Sequence, residues 1–365
     1  MGKIKILHAA DFHLDSPFSS LDREQAAVRR GEQREILNKI VELAAEERVD
    51  IVLLAGDLLD SQSAYSETYD IISAAMKSID AQVFISPGNH DFYSLRSHYS
   101  RLEAPENVHI FKTGEIECVE LPELSARVFG AAFTGTESGP LLRGLNAAGD
   151  AVNIGVMHGE QGPQSRYNPI SEQEIADSGL DYLALGHVHS FSGERKAGGT
   201  VFAWPGCTEG RGFDETGEKG VIIAETDKTG ASVRFVPLGS RRYEYIAVDI
   251  TDAESAADAV IEAVGRDSQR DIYRVTLTGE APPPSLSELK AALESRFFSL
   301  HLRDRTRPRR DIWESVTEDS LRGIFVRKLR VRYDAAKTPE ERELIMGAVR
   351  WGMRALDNGE ELSVL

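Results

Sequence analysis

Residues 83–91 have the sequence VFISPGNHD, and this stretch decides how the rest of the chain is interpreted. Its first three residues are apolar, as in a buried strand, and Gly88 permits a sharp bend where that strand ends. The next three side chains, Asn89, His90 and Asp91, are an amide, an imidazole and a carboxylate, which are donor types that bind metal ions. Ordinary turns also use Gly and Asn, so the rest of the chain must decide between a turn and a metal site.

The length and composition indicate a folded, soluble protein. The chain has 365 residues, of which 41% are hydrophobic, which is enough for one large domain and a smaller one, or for two to three modest domains. No apolar run approaches the roughly 20 residues that a membrane span requires. The first residues lead into a strand rather than a signal peptide, so we expect a cytoplasmic protein without a membrane partner.

The net charge and the cysteines argue against nonspecific nucleic-acid binding and against cysteine-based structural sites. A net charge of −17 disfavours broad, nonspecific adhesion to nucleic acid, although it leaves room for a local basic groove. Cys118 and Cys207 are far apart and lie in no paired-spacing motif. We therefore expect neither a disulfide framework nor a thiolate zinc site.

The first 91 residues alternate strand and helix, which indicates an α/β sheet. Helical spacing of apolar residues predicts helices over about 34–47 and 67–79, and apolar runs predict strands at 3–10, 50–54 and 83–85. Each strand is followed by potential metal ligands, namely Asp11 and His13, then Asp57, then Asn89 and His90. In open α/β sheets, ligands bind at the carboxyl ends of the strands.

Later strands continue this pattern. The strand predicted at 152–157 runs into His158, and the one at 181–185 ends in Gly-His-Val-His, with His187 and His189 two residues apart. Side chains at i and i+2 after a strand point to one side, so both imidazoles can reach one site. Other strands are predicted at 108–111, 116–120, 127–132, 201–204, 220–225 and 232–237.

Beyond residue 239 the pattern predicts a small α+β domain followed by helices. Strands are expected at 245–250, 272–278 and 300–302, and helices at 251–264 and 285–298. A final helix begins at residues 338–341, TPEE, with a capping box, and its apolar stripe packs either on its own domain or on a partner. We divide the chain into a metal-site domain at 1–239, a capping domain at 240–310 and a helical partner-binding region at 311–365.

Basic residues are concentrated in one segment. Residues 301–332 contain ten Lys or Arg and five Asp or Glu. This cluster contacts a phosphate backbone, docks a partner, or forms a solvated charged face. Arg211 lies in a Gly-rich segment at 206–220 and is either a phosphate contact or an ordinary surface residue. The candidate DNA-binding residues are Arg211, Arg303, Arg305, Arg307, Arg309 and Arg310.

The strand-end side chains exceed what one ion needs and fit two divalent ions about 3.5–4 Å apart, bridged by one carboxylate. Such ions neutralise phosphate oxygens and lower the pKa of a water. Oxygen and nitrogen donors without thiolate suit manganese, iron or zinc better than magnesium or calcium, and we expect two Mn²⁺ ions. The set consists of Asp11, His13, Asp57, Asn89, His90, His158, His187 and His189.

The order Asp-x-His, Gly-Asp, Gly-Asn-His-Asp, His-Gly, Gly-His-x-His resembles the calcineurin-like metallophosphoesterases over about residues 1–238. Residues 7–18, LHAADFHLDSPF, and the added C-terminal region resemble the SbcD-type nuclease subunit of the bacterial break-repair complex, in particular the YhaO-like DNA-repair exonucleases. The resemblance implies a four-layer α/β (α+β) sandwich of two mixed sheets flanked by helices. A small α+β capping domain and C-terminal helices that engage an SbcC-like coiled-coil ATPase would follow.

The resemblance also implies a role for each site residue. Asp11, His13 and His189 would hold one metal, Asn89, His158 and His187 the other, and Asp57 both. His90 would contact the scissile phosphate or protonate the leaving oxygen, with Asp91 orienting it.

The leading hypothesis is a metal-dependent DNA exonuclease or endonuclease that works with the ATPase. The alternatives are a phosphodiesterase or phosphatase acting on small nucleotides or phosphoproteins, and a scaffold subunit with an inert metal site. The acidic chain favours a partner that supplies positive surface for DNA. The sequence leaves the oligomeric state open, including a homodimer.

Overall fold

The computed structural model describes residues 2–62, 65–102, 104–265, 269–307 and 313–358. The chain divides into two compact units. Unit 1 comprises residues 1–246, 264–275 and 292–301, and unit 2 comprises residues 247–263, 276–291 and 302–365. The units alternate along the chain, whereas the predicted domains 1–239, 240–310 and 311–365 are consecutive, so that division stays a prediction.

A mixed six-stranded sheet in unit 1 carries the first part of the chain. Its strand order is β12-β11-β1-β2-β3-β4, with β1 to β4 parallel and β11 antiparallel to both β1 and β12. Helices α1 (Arg23–Glu47) and α2 (Ser66–Lys77) connect β1 to β2 and β2 to β3. The strands are β1 (Ile4–Ala9), β2 (Ile51–Leu54), β3 (Gln82–Ile85), β4 (Val108–Ile110), β11 (Gly220–Asp227) and β12 (Gly230–Pro237).

A second mixed sheet has the order β5-β6-β7-β8-β10-β9. Strands β6, β7, β8 and β10 are parallel, and the edge strands β5 and β9 are antiparallel to their neighbours. The short helix α3 (Glu172–Asp177) connects β7 to β8. The strands are β5 (Glu117–Leu121), β6 (Ala126–Gly130), β7 (Val152–His158), β8 (Tyr182–Gly186), β9 (Arg195–Ala197) and β10 (Thr200–Ala203).

The two sheets pack on each other through an apolar core. Ile6 and Leu53 of the first sheet lie in one buried cluster with Ile154 of the second. The opposite face of the first sheet packs against α1, where Leu7 and Ile36 belong to a separate cluster. Strands covered on both faces have nearly continuous apolar sequences, which explains why they could be recognised. The predicted architecture of two mixed sheets with flanking helices is confirmed.

A buried histidine also joins the two sheets. His8 of β1 accepts a hydrogen bond from the Tyr182 hydroxyl at Nδ1 (2.9 Å) and donates from Nε2 to the Leu185 carbonyl (3.1 Å). Burial lowers the pKa of His8 to about 3, so the ring is neutral and can act as donor and acceptor at once. The pair aligns β1 and β8 just before the ends that carry potential metal ligands.

Helix α1 begins eleven residues before the predicted start at residue 34. Asp22 caps it by accepting a hydrogen bond from the Gln25 amide (2.8 Å). Its first half buries polar side chains, so its sequence lacks the apolar stripe of a surface helix. Arg29 pairs with Glu209 at 2.7 Å, and Gln33 donates to the His13 carbonyl at 3.0 Å. Gln33 thereby holds the loop that follows β1, and Arg29 holds the segment at residues 209–210.

A third sheet has three strands in the order β13-β14-β15. Its strands are β13 (Tyr243–Asp249), β14 (Ile272–Thr278) and β15 (Ser299–Asp304), and the intervening helices are α4 (Ala256–Val264) and α5 (Leu286–Leu293). The α+β pattern predicted for this part of the chain is therefore present.

Two helices of unit 2 end the described chain. Helix α6 (Leu321–Ala335) lies in the region 311–365 that was expected to be helical, although no bounds were predicted for it, and α7 (Pro339–Asn358) begins where its capping box indicated. The helices pack so closely that the Phe325 ring leaves no room for a side chain at Gly352. Leu344 and Trp351 remain 77% and 63% exposed, so their part of the predicted apolar stripe is uncovered. Among the described residues, no helix is long and apolar enough to span a bilayer.

Candidate metal centre

Five strands of unit 1 end in potential metal ligands, and the structure brings these ends together. The first sheet contributes the residues that follow β1, β2 and β3, and the second sheet contributes those at the ends of β7 and β8. The centre therefore lies where the two sheets face each other. The first sheet supplies Asp11, His13, Asp57, Asn89 and His90, and the second supplies His158, His187 and His189.

One group of donors consists of Asp11, His13 and His189. Each offers an atom within 4.8 Å of the other two, and the Nε2 atoms of the two histidines are 3.3 Å apart. The backbone amide of His187 donates to both carboxylate oxygens of Asp11 at 3.0 Å. The carboxylate is thereby held in place while keeping lone pairs for a cation.

A second group consists of Asn89, His158 and His187. The Asn89 Oδ1 atom lies 3.0 Å from His158 Nε2 and 3.1 Å from His187 Nδ1, and these two nitrogens are 3.2 Å apart. An amide oxygen and two ring nitrogens converging at such distances form a compact donor triangle of the kind that transition metals bind.

Asp57 lies between the two groups. Its Oδ2 atom is 3.4 Å from His158 Nε2 and 3.7 Å from His13 Nε2, so one carboxylate oxygen is near a ring of each group. Its Oδ1 atom accepts a hydrogen bond from the His90 amide at 2.9 Å. A single carboxylate shared by two donor groups is the arrangement expected for two neighbouring cations.

The electrostatics fit positive charge at this position. Burial lowers the pKa of His13 to about 4 and that of His187 to about 3, so both rings are neutral near pH 7 and offer lone pairs. Burial raises the pKa of Asp11 to about 6. For His158, burial acts to lower the pKa, but the nearby Asp57 and Asp11 raise it to about 9. For Asp57, burial acts to raise the pKa, but His158 and His13 bring it well below its usual range.

The backbone of the centre is strained. Asp11, His13, Asp57 and His187 have positive φ angles of 52°, 46°, 51° and 92°, which are uncommon for residues other than glycine. The His13 amide donates to the Asp57 carbonyl at 2.9 Å, and this hydrogen bond helps to hold both residues in the strained conformation. Gly88 is required for a different reason, since a Cβ atom there would overlap the carboxylate of Asp57.

Carboxylates outside the donor groups hold two of the rings. Glu215 Oε1 is 2.7 Å from His189 Nδ1, and Asp60 Oδ1 is 3.2 Å from His13 Nδ1. In both rings Nε2 then faces the centre, and an outer carboxylate of this kind is a common way to fix the tautomer of a ligand ring. Glu215 and Asp60 were not predicted, because neither follows a strand in a ligand motif and only the folded chain brings them to the rings.

The remaining two rings differ in how their outer nitrogens are held. His158 Nδ1 donates to the Ala55 carbonyl at 2.8 Å, which directs its Nε2 inward. His187 instead directs Nδ1 inward, and its Nε2 lies 3.9 Å from Glu160 Oε2, beyond hydrogen-bond distance. Glu160 is therefore a carboxylate near a candidate ligand ring that makes no bond to it.

His90 lies at the exposed side of the centre. Its Nδ1 donates to the Asp60 carbonyl at 2.8 Å, and its ring meets the ring of His13 edge-on at 4.9 Å. The bond to a carbonyl fixes the proton on Nδ1 and leaves Nε2 for a substrate oxygen.

Asp91 is fully buried and has a different set of contacts from the one expected for it. Its carboxylate accepts hydrogen bonds from the amides of Leu58 (2.7 Å) and Gly88 (2.8 Å) and from the Tyr99 hydroxyl (2.6 Å). These bonds join the loop after β2 to the loop after β3. The His90 ring is contacted by Asp60 rather than by Asp91.

Arg211 lies beside the centre rather than on open surface. Its guanidinium pairs with Glu215 at 2.6 Å and Asp60 at 3.0 Å, and one Nη atom is 3.2 Å from His189 Nδ1. Arg211 therefore braces the two carboxylates that contact the rings. Its predicted contact with a phosphate stays a prediction.

The other predicted DNA-binding residues lie elsewhere in the chain. Arg303, Arg305 and Arg307 are exposed residues of unit 2, whereas the centre belongs to unit 1. Arg309 and Arg310 lie outside the described residues. In the part of the chain that the structure covers, Cys118 and Cys207 are free thiols, and neither belongs to a potential metal-binding group.

Residues 4–191 match the family described as calcineurin-like phosphoesterase. The chain is 26% identical over 339 residues to a Bacillus subtilis (strain 168) protein named uncharacterized metallophosphoesterase YhaO, covering 87% of this chain and 81% of that protein. It is 22% identical to the DNA double-strand break repair protein Mre11 of Saccharolobus solfataricus, covering 76% of each chain. It is 25% identical to the D subunit of the nuclease SbcCD from Bacillus subtilis, covering 61% of this chain and 66% of that one.

Proposed function

The chain belongs to the calcineurin-like phosphoesterases, and from that membership we propose that it is a two-metal DNA nuclease subunit that acts with a coiled-coil ATPase. The family is one of metal-dependent phosphoester hydrolases. The names of two relatives, a double-strand break repair protein and a nuclease subunit, support DNA as the substrate. The uncovered apolar side chains of α7 support a protein partner.

One observation carries the proposal: two triads of nitrogen and oxygen donors meet at a single carboxylate oxygen of Asp57. In the proposed arrangement Asp57 would help to hold both cations, and each triad would hold one of them. We propose Mn²⁺ for both, because a mixed set of oxygen and nitrogen donors without thiolate suits manganese, iron or zinc better than magnesium or calcium. The first triad is Asp11, His13 and His189, and the second is Asn89, His158 and His187.

When bound, the two cations would neutralise phosphate oxygens and lower the pKa of the attacking water. His90 would act on the leaving group. With Nδ1 donating to the Asp60 carbonyl, a protonated His90 ring presents its Nε2 proton to the departing sugar oxygen. Asp91 supports this step indirectly, by tying together the loops that carry Asp57 and His90.

A substrate comparison tests the proposal. The purified chain with Mn²⁺ is incubated with single-stranded DNA, duplex DNA, a cyclic nucleotide and an aryl phosphodiester, alone and with the ATPase that copurifies from the native host. We expect cleavage of DNA. Hydrolysis of the small esters alone would favour the small-nucleotide phosphodiesterase, and no hydrolysis of any substrate would refute the phosphoesterase activity itself.

The matched control is an Asp57→Asn variant purified in the same way. Asparagine has nearly the same shape as aspartate but lacks the charge shared by both groups, so activity that persists in this variant comes from a contaminating nuclease.

A further inference from the structure

A basic pocket of about 530 Å³ lies in unit 1 and is lined by residues outside the donor groups of the metal centre. Four of its lining residues are basic, Lys39, Lys219, Arg242 and Arg270, and one is acidic, Glu218. In a chain with a net charge of −17, such a concentration of positive charge is a local exception. It indicates that the pocket receives an anion.

Among the described residues, two of the cations donate only to neutral acceptors. Lys39 Nζ donates to the Leu238 carbonyl at 2.8 Å and to Ser240 Oγ at 3.0 Å, and Arg270 donates from Nε and one Nη to the Ser240 carbonyl at 3.2 and 2.9 Å. Among the described residues, no carboxylate lies within 4.0 Å of either cation. These neutral acceptors hold the side chains in place without balancing their charge, and Arg270 is exposed, so an anion can reach it from solvent.

Lys219 is the most buried of the four, with 5% of its surface exposed. Its Nζ donates to the His189 carbonyl at 3.0 Å, and no described carboxylate lies within 4.0 Å of it. A buried ammonium group with a single neutral acceptor is incompletely compensated, and an anion in the pocket would supply the missing charge. Arg242 differs, because it pairs with Asp271 at 2.7 Å.

We propose that this pocket is a phosphate-binding site, separate from the metal centre, for a phosphate group of a nucleotide or of a nucleic acid strand. A phosphate offers several acceptor oxygens, which matches the unused N–H groups of Lys39 and Lys219 and the planar fork of Arg270. The proposal stands without the nuclease activity, since binding here requires neither metal nor hydrolysis.

Binding of inorganic pyrophosphate tests the site directly. The protein is stripped of metal, the chelator is dialysed away, and isothermal titration calorimetry compares the wild type with a Lys39→Gln/Arg270→Gln double variant. We expect one pyrophosphate per chain in the wild type and at least about tenfold weaker binding in the variant, because two charges near the anion are removed. A Lys112→Gln variant, which removes an exposed lysine elsewhere, controls for net charge.

A Glu218→Gln variant makes the test independent of any folding defect. It removes the acidic side chain from the pocket lining and is expected to bind pyrophosphate about threefold more tightly. No wild-type binding, or equal affinity in the wild type, the double variant and the Glu218→Gln variant, would overturn the proposal.

A DNA-binding experiment then distinguishes a nucleic acid strand from a nucleotide as the source of the phosphate. Binding of a labelled single strand is measured at several salt concentrations by fluorescence anisotropy, again without metal. If a strand phosphate occupies the pocket, the association constant of the double variant depends less steeply on salt. The magnitude of the slope of log K against log salt then falls by about 0.7 for each phosphate interaction that is removed. An unchanged slope together with weaker pyrophosphate binding identifies a free nucleotide or phosphate as the occupant.

Discussion

Replacing Glu215 by Gln should weaken Mn²⁺ binding without removing a metal ligand. The Glu215 carboxylate is 3% exposed and lies 2.7 Å from His189 Nδ1, so it holds the ring while adding negative charge behind it. A hydrogen bond to a charged group contributes about 1.5–3 kcal/mol and a neutral one about 0.5–1.5 kcal/mol. The midpoints of these ranges differ by about 1.25 kcal/mol, which corresponds to about eightfold weaker binding at the site that includes His189.

A Glu215→Ala variant should show a larger effect. It loses the bond to His189 completely and leaves Arg211, which pairs with Glu215 at 2.6 Å, without that partner. We expect about hundredfold weaker binding, at the upper end of what outer partners of metal ligands contribute. The measurement is a Mn²⁺ titration followed by electron paramagnetic resonance of the free ion, with both sites fitted.

Glu160 provides the matched control. Its Oε2 is 3.9 Å from His187 Nε2, so it lies near a proposed ligand ring but makes no hydrogen bond to it. Glu160→Gln should change Mn²⁺ affinity less than about twofold. Equal affinity in the Glu215→Gln variant and the wild type, or an equally large loss in the Glu160→Gln variant, would refute the assignment of Glu215 as the residue that positions His189.

Three further outcomes are expected. His90→Ala should lower kcat by about 10²- to 10⁴-fold while two Mn²⁺ remain bound in the titration, and retained turnover would contradict its role as proton donor. Asp57→Asn should reduce the number of tightly bound Mn²⁺ ions from two to one or none, measured by equilibrium dialysis; two ions bound with unchanged affinity would exclude a bridging role. Asp91→Ala should lower the free energy of unfolding, measured by urea denaturation, by about 4 kcal/mol, since several buried donors lose their acceptor. Tyr99→Phe removes one of those hydrogen bonds and should lower the same free energy by about 1–2 kcal/mol. Similar losses in the last two variants would show that Asp91 does not organise the loops.

The fold could be recognised from sequence where local signals were strong. Strand β14 was predicted at its observed bounds of 272 and 278, and in its sequence, IYRVTLT, buried apolar residues alternate with partly exposed ones. Strand β7 was predicted at 152–157 and is observed at 152–158, because a buried parallel strand is a continuous apolar run. The first half of α1 was missed, since Arg29 and Gln33 are polar residues that become buried only through partners on distant segments. The antiparallel pairing of β11 with β1 joins segments about 200 residues apart, and no local pattern encodes it.

The residues of the candidate centre also differ in whether sequence could identify them. Its innermost residues each follow a strand, and the carboxyl ends of neighbouring strands meet, so their convergence could be inferred before any coordinates. Glu215 and Asp60 could not be found, because they reach the rings from loops whose course depends on tertiary packing. The contacts of Asp91 could not be found from sequence for a related reason. The resemblance implied that Asp91 orients His90, and that role stays a prediction; in the structure its buried carboxylate accepts hydrogen bonds from backbone amides of two loops.

Each donor triad draws on both sheets: His189 of the second sheet joins Asp11 and His13 of the first, and Asn89 of the first joins two histidines of the second. A bound cation would therefore join the two sheets at the edge where their strands end, through polar contacts, whereas apolar contacts join them in the core. At a free metal concentration a thousand times its dissociation constant, one such cation would raise the free energy of unfolding by about 4 kcal/mol. Metal supply would then govern the lifetime of this protein in the cell as well as its chemistry.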